Sequence, residues 1–425
     1  MIGFIGLSHL GLNYSLATAA KGMEVLGFDP DPALVRRLQN GVIPIEEPGF
    51  LELLQKHRSR ITYTSDLADL ARCNLVFYAL DVRTNDANES DLAPLTGLIG
   101  TTSAALSKDA VAVIMSQVRP GYVRSLIARA KLRPERWFYQ VETLIFGAAV
   151  QRAMEPERFI VGAADPTAAL PEVLSAWHAA FGCPVLAMRY ESAELAKLAI
   201  NLFLVSTVST TNTLAELCEA LGADWAEIAP ALKLDKRIGP HAYLKPGLGI
   251  AGGNLERDLA TVKGLSLEYH TEAGIVDAWT RNSAHAKSWA LRVLERELTA
   301  LNPTSRVAVW GLAYKQDTHS IKNSASLELI RALPRCRFQA YDPAAIVDSA
   351  LYQNLRICGS ALEAIAQVDG LVIMTPWKQF SSVSPADIRG HLAGSLLIDP
   401  YAVLKRDACI SAGLRTFQLG TAVTG

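Results

Sequence analysis

The chain has 425 residues, of which half are hydrophobic and a fifth are charged. Because this length exceeds that of a domain with one hydrophobic core, two or three domains are predicted. Its formal net charge of -1 argues against a nucleic-acid partner, and the lack of both a basic leader and an apolar run of about 18 residues predicts a cytoplasmic protein without a membrane segment. The six cysteines are scattered and form no CxxC pair, so neither a metal site nor a disulfide framework is expected.

The N-terminal segment predicts the opening of a nucleotide-binding βαβ unit. An apolar run at residues 2–6 leads through a Gly/Ser/His turn into a predicted helix, Leu12–Lys21, and a second apolar run ends at Asp29. In alternation with helical stretches, further strands are predicted at Leu75–Leu80, Val111–Met115, Trp137–Val141 and Arg158–Val161. This alternation predicts a parallel, doubly wound sheet.

The middle of the chain predicts helices without intervening strands. Ser192–Leu221 is a long stretch of apolar periodicity with Gly222 as its stop signal. Further helical stretches follow at Leu255–Gly264 and Glu272–Leu301. A central helical domain is therefore expected.

The pattern of strand, loop, helix, strand and acid recurs near the C-terminus. Arg306–Trp310 leads into the loop Gly311–Lys315, a helix is predicted at Ser324–Leu333, and the strand Cys336–Tyr341 is followed by Asp342. Two more strands are predicted at Gly370–Met374 and Ser395–Ile398. The sequence thus predicts an α/β fold in which two Rossmann-like, doubly wound parallel-sheet domains are joined by a central helical domain, with boundaries at residues 1–190, 191–302 and 303–425.

The first loop carries the residues expected of a dinucleotide site. Gly6-x-Ser8-x-x-Gly11 stands between a strand and a helix, where glycines permit a tight turn and the helix N-terminus faces a pyrophosphate. Asp29 follows at the end of the next strand, where it can bind both ribose hydroxyls and repel the extra phosphate of NADP, so NAD is the predicted cofactor. The alternative is an ordinary βα turn with Asp29 as a helix N-cap. The predicted cofactor contacts of the loop are Gly6, Ser8, His9, Leu10 and Gly11.

Motifs along essentially the whole chain resemble, in order, those of the UDP-glucose/GDP-mannose dehydrogenase family. Each motif alone is weak, but so many in the same order are a strong indication. Besides the first loop and Asp29, they are Pro44-Ile45-x-Glu47-Pro48-Gly49-Phe50, Ser116-x-Val118-x-Pro120-Gly121, Glu142 with Gly147, Ala193-Glu194-x-x-Lys197-x-x-x-Asn201, Asp235-x-Arg237-Ile238-Gly239, Pro246-Gly247-x-Gly249-x-x-Gly252, Asp258, Gly311–Lys315 with Thr318 and Ser324, and Trp377 with Phe380.

The resemblance implies an NAD-dependent oxidoreductase that oxidises the C6 alcohol of a nucleotide sugar twice, with a UDP-hexose as the favoured substrate. It implies that the first domain binds NAD, that the last binds the nucleotide, that the central helices form a homodimer, and that the product serves polysaccharide biosynthesis. It adds Gln117 and Lys322 as cofactor contacts. The substrate contacts that it implies are Glu142, Lys197, Asn201, Arg237, Tyr243, Gly249, Gly252, Tyr314 and Lys315.

One position departs from the family pattern in a way that changes the expected chemistry. Asn254 stands where the family has the cysteine nucleophile of the second oxidation, and a carboxamide cannot form the thiohemiacetal on which that step depends. Asn254 is expected to cap the following helix, to contact the sugar, or to do both. We therefore expect a single oxidation, in which Lys197 and Asp258 assist removal of the alcohol proton. Asn201 would stabilise the alkoxide, and Glu142 would order water or the sugar.

Three alternatives stay open. A cysteine-free route could carry out both oxidations through the hydrated aldehyde, and an epimerase or dehydratase would use tightly held NAD without net redox. A non-catalytic nucleotide-sugar binder would have kept the fold after losing the chemistry. The presence of Glu142, Lys197, Asn201 and Asp258 argues mildly against this last alternative.

Overall fold

The computed structural model describes residues 1–85, 87–130, 132–300 and 302–422. The chain divides into two compact units, Met1–Ile200 and Asn201–Gly425, and each contains its own sheet. The predicted fold class, with two Rossmann-like α/β sheets and a helical stretch between them along the chain, is confirmed. The predicted helix end at Leu301 and residues 423–425 of the third predicted domain lie outside the described residues.

The sheet of the first unit has eight strands: β1 Ile2–Ile5, β2 Val25–Phe28, β3 Ile61–Thr64, β4 Leu75–Tyr78, β5 Val111–Ile114, β6 Trp137–Gln140, β7 Phe159–Ala163 and β8 Val185–Arg189. Their order is β3-β2-β1-β4-β5-β6-β7-β8. β7 runs antiparallel to β6, whereas the other neighbouring pairs are parallel. Chain order reverses between β1 and β4, and this switch point is where doubly wound sheets bind their ligands.

The core of the first unit lies on both faces of this sheet. Alternate strand residues point to opposite faces, so Phe4 and Phe77 stack at 5.1 Å in one cluster, while Tyr78 and Trp137 stack at 5.6 Å in the other. Burial on both faces explains the continuous apolar runs of the strands. The helices are α1 His9–Ala20, α2 Pro32–Gln39, α3 Phe50–His57, α4 Ala93–Thr102, α5 Tyr122–Ala130, α6 Ala149–Met154 and α7 Glu172–Ala179, with 3₁₀ turns at Arg58–Arg60, Leu67–Arg72, Ser103–Ala105 and Pro134–Arg136.

A helix of 32 residues, α8 (Tyr190–Leu221), begins in the first unit and continues into the second. Among the described helices it alone has the length and composition of a membrane span, and 33% of its most apolar 18-residue window is buried. The same segment carries Glu194 and Lys197, both buried. Core helices of soluble proteins meet the same criterion, so length and composition are weak evidence here.

The second unit begins with helices and ends with a parallel sheet. The helices after α8 are α9 Trp225–Leu234, α10 Asn254–Glu268, α11 Gly274–Lys287 and α12 Trp289–Leu294, which continues as a π-helical turn, Glu295–Thr299. The strands are β9 Arg306–Trp310, β10 Arg337–Tyr341, β11 Leu355–Ile357, β12 Gly370–Ile373, β13 Leu396–Ile398 and β14 Arg415–Phe417, in the order β11-β10-β9-β12-β13-β14. The remaining helices are α13 Ala325–Ala332, α14 Ala361–Ala364, α15 Pro385–His391 and α16 Arg406–Ser411, with 3₁₀ turns at Ser349–Leu351 and Lys378–Ser382.

Several elements differ from the sequence-based expectation. The single helix predicted at Glu272–Leu301 is interrupted at Ser288, where α11 ends and α12 begins. Four strands were not predicted, namely β3, β8, β11 and β14. β11 and β14 have three residues each, and β3 contains two threonines, so these three lack the continuous apolar run of the central strands. β8 is apolar at residues 185–188 but largely exposed.

The two sheets repeat one hydrogen-bonding device. In the first unit, the Asp29 carboxylate follows β2 and accepts the Leu7 N–H at 2.8 Å. In the second unit, the Asp342 carboxylate follows β10 and accepts the N–H groups of Leu312 and Ala313 at 2.6 and 2.9 Å. In both, an acid at the end of the second strand holds the loop after the first strand, which explains the recurrence of the acid in the sequence.

Candidate active site

The dinucleotide loop, Gly6–Gly11, is shaped by contacts that leave no space for a side chain at Gly11. A Cβ at Gly11 would lie 1.9 Å from the Gly6 carbonyl oxygen, and Gly6 itself has φ of +94°. Ser8, which replaces the usual middle glycine, donates its Oγ–H to the Ala79 carbonyl and accepts the Asp81 N–H at 2.9 Å. The Ser8 hydroxyl thus joins the loop to the segment after β4 and makes no capping bond to α1.

The first amides of α1 and the Asp29 carboxylate fit the two ends expected of an NAD site. The N-terminus of a 12-residue helix favours a pyrophosphate, and the missing Cβ of Gly11 permits α1 to pack closely on the end of β1. Asp29 is 9% exposed and also accepts the Asp31 N–H at 3.0 Å. The alternative of Asp29 as an N-cap is wrong, because Asp31 caps α2 by accepting the Ala33 N–H at 2.8 Å.

A buried carboxylate organises the surroundings of this loop. His9 is the first residue of α1, and its Nε2 lies 2.7 Å from Glu47 Oε1. The Glu47 carboxylate also accepts the N–H groups of Gly147 and Ala149, at 3.0 and 3.2 Å. The His9 ring packs on Phe146 with centroids 4.3 Å apart. No role was predicted for Glu47, although an acid inside a Pro/Gly-rich loop is a signal in the sequence for such a role.

The first unit brings together two of the predicted catalytic residues, Glu142 and Lys197. Lys197 Nζ lies 3.0 Å from Glu142 Oε1 and donates to the Glu142 carbonyl at 2.9 Å. Both side chains are mostly buried, at 16% and 10% exposure, so the pair is weakly screened by solvent. One turn earlier on α8, Glu194 accepts the N–H groups of Gly121 and Val123 at 2.6 and 2.9 Å. Burial raises the pKa of Glu194 to about 7 despite these two donors.

The second unit brings together the other predicted pair, Asn201 and Asp258. Asn201 Nδ2 donates to Asp258 Oδ2 at 2.5 Å, and Arg257 Nε lies 3.4 Å from Asp258 Oδ1. Asp258 is 1% exposed, so its charge is stabilised by protein groups, these two among them, and not by bulk water. Lys197 and Asp258, predicted to share one task, thus each have a partner within their own unit.

The glycine turn, defined here as Gly249–Gly253, presents Asn254 at the start of α10. Gly249, Gly252 and Gly253 have φ of +70°, +91° and +95°. The N-cap of α10 is Gly253 and Asn254 is the first helical residue, so the expectation of Asn254 as N-cap is wrong. The Asn254 residue is exposed, which leaves the sugar-contact expectation as the one of interest.

Side chains and backbone from the C-terminal segment of the second unit pack on this turn. The Gly252 N–H donates to the Lys322 carbonyl at 3.1 Å, and a Cβ at Gly252 would lie 2.4 Å from the Tyr314 ring. The Lys322 stem lies over Gly253. Burial, and to a smaller extent Glu256, raises the pKa of Tyr314 to about 12, so its phenol stays protonated and can donate. Lys315 Nζ lies 5.7 Å from the Tyr314 ring centroid.

Two further predicted substrate contacts are exposed. Arg237 forms a two-pronged ion pair with Asp235, with Nη2 2.6 Å from Oδ2, and its side chain is 88% exposed. Tyr243 lines a cavity of about 1130 Å³ in the second unit together with Lys245, Tyr401 and Arg406. Arg237 and Tyr243 are therefore both accessible to a ligand.

Three family models match successive parts of the chain. The NAD binding domain of the UDP-glucose/GDP-mannose dehydrogenase family matches residues 1–181, its central domain matches residues 191–283, and its UDP binding domain matches residues 308–406. Together they span most of the chain, in the order in which the motifs occur.

Individual relatives agree with this assignment. A UDP-glucose 6-dehydrogenase of Pseudomonas aeruginosa is 30% identical over 418 residues, covering 93% of this chain and 92% of the relative. UDP-glucose 6-dehydrogenase TuaD of Bacillus subtilis is 27% identical, covering 99% and 93%. Among solved structures, a UDP-glucose dehydrogenase from Pyrobaculum islandicum has a TM-score of 0.85 at 27% identity, covering 96% of this chain and 95% of that one. A UDP-D-ManNAc dehydrogenase from Pyrococcus horikoshii, at 22% identity and the same TM-score, covers all of both chains and shares the fold.

Proposed function

Because the chain belongs to the UDP-glucose/GDP-mannose dehydrogenase family, and is thereby an NAD-dependent nucleotide-sugar dehydrogenase, we propose that it removes a single hydride from a UDP-hexose. The observation that carries this proposal is Asn254 at the head of α10, in the position that resembles the family's nucleophilic cysteine. The product would be an aldehyde or a ketosugar, since a carboxamide cannot support thioester chemistry.

The residues proposed to hold NAD are those of the dinucleotide loop, with Asp29, Gln117 and Lys322. NAD, when bound, accepts the hydride. Gly11 allows α1 to start close to the Gly6 carbonyl, the N-terminus of α1 favours the charge of the pyrophosphate, and Asp29 is the ribose contact that disfavours NADP. Gln117 is 9% exposed on the loop that Glu194 ties to α8.

The residues proposed to move the alcohol proton are Lys197 and Asp258. Asp258, a buried carboxylate held by Asn201 and Arg257, would accept the alcohol proton through a water. Lys197, a buried cation held by Glu142, would favour release of that proton by stabilising the alkoxide. Groups fixed in this way lose little conformational freedom when a substrate binds, and their electrostatic interactions with the substrate are stronger where water is excluded. We assign stabilisation of the developing alkoxide to Lys197 and Asn201, and the ordering of water or sugar to Glu142.

The remaining predicted substrate contacts are kept as proposals. Gly249, Gly252 and Tyr314 belong to the glycine turn or pack on it, and Lys315 follows Tyr314. We assign the nucleotide part of the substrate to the C-terminal part of the chain, with Tyr243 and Arg237 as further contacts. The boundaries 1–190, 191–302 and 303–425 are proposed as the functional division of the chain.

Stoichiometry tests the proposal directly. The purified protein would be incubated with NAD and a panel of UDP- and GDP-hexoses, NADH would be counted per sugar converted, and the product identified by mass. One NADH with an aldehyde or ketosugar supports the proposal. Two NADH with a uronic acid would overturn it and favour the cysteine-free double oxidation. Isomerised sugar without NADH would indicate an epimerase or dehydratase, and unchanged sugar with measurable binding would indicate a binder.

Asn254→Cys sharpens this test. A thiol at the first position of α10 would lie at a helix N-terminus, which lowers the pKa of a cysteine and favours the thiolate. If Asn254 is what ends the reaction after one hydride, the variant is expected to form a second NADH from the same sugar, while Asn254→Ser stays at one. Equal NADH yields for the native protein and both variants would contradict the role of Asn254.

We propose that the protein is cytoplasmic. We also propose that it forms a homodimer through the apolar surface of the central helices. Among the residues of α8, Phe203 is 77% exposed, Leu221 72% and Leu217 49%. Exposed apolar residues concentrated on one long helix are typical of an interface between subunits. Light scattering of the native protein and of Phe203→Asp would test this, with a monomeric native protein as the contrary result.

A further inference from the structure

The position of Asn254 depends on the glycine turn, and most of the turn's anchors come from other segments. Glycine adopts many backbone conformations, so the three glycines do not by themselves fix the positive φ angles of the turn. Tyr314 and Lys322 pack on one end of the turn, at Gly252 and Gly253. Residues of α11 also contact the turn, and none of them has a role in the proposed reaction.

Two residues of α11 hold the two ends of the turn. Ser283 Oγ accepts the Ile250 N–H at 2.9 Å, and the Ser283 carbonyl packs against Gly249. Lys287 Nζ lies 3.2 Å from Glu256 Oε1, and the other oxygen of Glu256 accepts the Gly253 N–H at 2.7 Å. Ser283 and Lys287 are four residues apart, so they share one face of α11.

Burial distinguishes the Lys287–Glu256 pair from an ordinary surface ion pair. Its side chains are 12% and 13% exposed, and Glu328 Oε1 adds a second, more distant carboxylate 3.7 Å from Lys287 Nζ. A second ion pair, Lys263–Asp277, joins the same two helices at 63% and 42% exposure. Loss of one partner leaves an uncompensated charge in the first case, whereas solvent replaces the lost partner in the second.

We propose that Ser283 and Lys287 are positioning residues, which set the glycine turn and thereby the place of Asn254 relative to the substrate. The inference rests on the proposed function of Asn254 but extends it to a helix that supplies no reacting group. Lys287 acts through Glu256, which is at once its ion-pair partner and the cap of the Gly253 amide. Ser283 acts directly on the Ile250 amide.

Amide hydrogen exchange tests, without any substrate, whether the contacts from Ser283 and Lys287 hold the glycine turn. Lys287→Met, which keeps the length of the side chain, is expected to speed exchange in residues 249–256 by at least about 10-fold, since the Gly253 amide loses an ordered acceptor. Lys263→Met is the matched control on the same pair of helices and is expected to leave this segment unchanged. Lys287→Arg, which keeps the charge, is expected to restore protection. Equal exchange in Lys287→Met and Lys263→Met would overturn the proposal.

Kinetics test the consequence for the reaction. Lys287→Met is expected to lower kcat for the nucleotide sugar by about 10- to 100-fold, because misplacement by about 1 Å has effects of that size, while KM for NAD stays unchanged. Should Lys287→Met fail to fold, Glu256→Gln and Ser283→Ala provide the same test, since each removes one of the contacts that hold the glycine turn. A native protein inactive on all sugars would refute the proposed function, whereas the exchange experiment would still decide whether α11 holds the turn. Unchanged kcat with accelerated exchange would refute the positioning role.

Discussion

The dinucleotide loop and the glycine turn are both glycine-rich segments that lead into a helix, yet they are held in different ways. At Gly11 the obstacle to a side chain is the backbone of the loop itself, the Gly6 carbonyl oxygen. At Gly252 the obstacle is the ring of Tyr314, a residue far along the chain. The first loop is anchored by Ser8 and Asp29 next to its own strands, whereas the second depends on α11 and on Lys322.

The difference explains which of the two segments can vary. A loop whose shape is set by its own backbone and by adjacent strands keeps that shape as long as a few local residues are kept. A turn held by remote side chains can be shifted by changes in any of them, without a change in the turn itself. In a family with one fold and several substrates, the second arrangement is where the outcome of the reaction can be altered.

Gly11→Ala is expected to have the largest effect. The new Cβ would meet the Gly6 carbonyl oxygen at 1.9 Å, so the loop must open, at a cost of about 3 kcal/mol or more. NAD affinity is expected to fall by about 100-fold or more, as calorimetric titration would measure. Gly97→Ala is the control, since no atom lies within 4 Å of the added methyl in α4 and stability is expected to rise by about 0.5–1 kcal/mol. Unchanged NAD affinity in Gly11→Ala would show that the loop is not the cofactor site.

Gly252→Ala is expected to lower kcat/KM for the nucleotide sugar by about 100-fold while leaving NAD affinity unchanged. The methyl group would meet the Tyr314 ring at 2.4 Å and displace the turn. Because Tyr314 accounts for the clash but not for the φ of +91° at Gly252, which strains any L-residue, the double variant Gly252→Ala/Tyr314→Ala is expected to recover only part of the loss. Additive losses in this double-mutant cycle would show that the backbone and not Tyr314 limits Gly252.

Asp29→Asn is expected to reduce the preference for NAD over NADP by about 10-fold, which corresponds to about 1.4 kcal/mol. The neutral amide no longer repels a 2′-phosphate, and one of its two hydrogen bonds to the Leu7 and Asp31 amides is lost. The ratio of kcat/KM for the two cofactors is the measurement. Asp31→Asn, at the exposed N-cap of α2, is expected to leave the ratio unchanged. An unchanged ratio in Asp29→Asn would remove Asp29 from the ribose site.

Ser8→Ala is expected to have the smallest effect, because the strands hold the loop without it. Loss of the hydrogen bonds to Ala79 and Asp81 costs about 1 kcal/mol, so KM for NAD is expected to rise about 5-fold. Ser15→Ala, which removes a buried hydroxyl bonded to the Leu12 carbonyl within α1, serves as the control. A 100-fold rise for Ser8→Ala would mean that a single tether, and not the loop's own backbone, sets its shape.

Local chemistry made much of the fold predictable. The central strands β1, β4 and β5 are continuous apolar runs because both faces of the sheet are buried, and they were predicted within one or two residues. β8 was missed although residues 185–188 are apolar, because this short run leads directly into α8. Ser288 ends α11 although no glycine or proline is present there to signal the end.

The residues of the candidate site were predicted in two ways, and their roles stay predictions. Gly6, Gly11 and Asp29 follow from loop chemistry that acts between neighbouring elements, and Lys197 and Asp258 follow from a resemblance spread over the chain. The partners of Lys197 and Asp258 could not be predicted in this way. Glu142 is distant in sequence from Lys197, and Asn201 lies on α8 whereas Asp258 lies on α10. The N-cap of α10 was assigned one residue late, since Asn is a common cap and only the φ of Gly253 shows otherwise.

By itself the sequence determined the two βαβ units and the glycine-rich loop after β1, because each depends on residue types at short, regular spacing. Only the tertiary structure decided which side chains pair and what holds the glycine turn. The contact from Lys287 through Glu256 to the Gly253 amide exists because α10 and α11 pack side by side, and no local pattern in either helix encodes it. Pairing of buried charges is a property of folded neighbours, whereas helix and loop signals are carried by the chain itself.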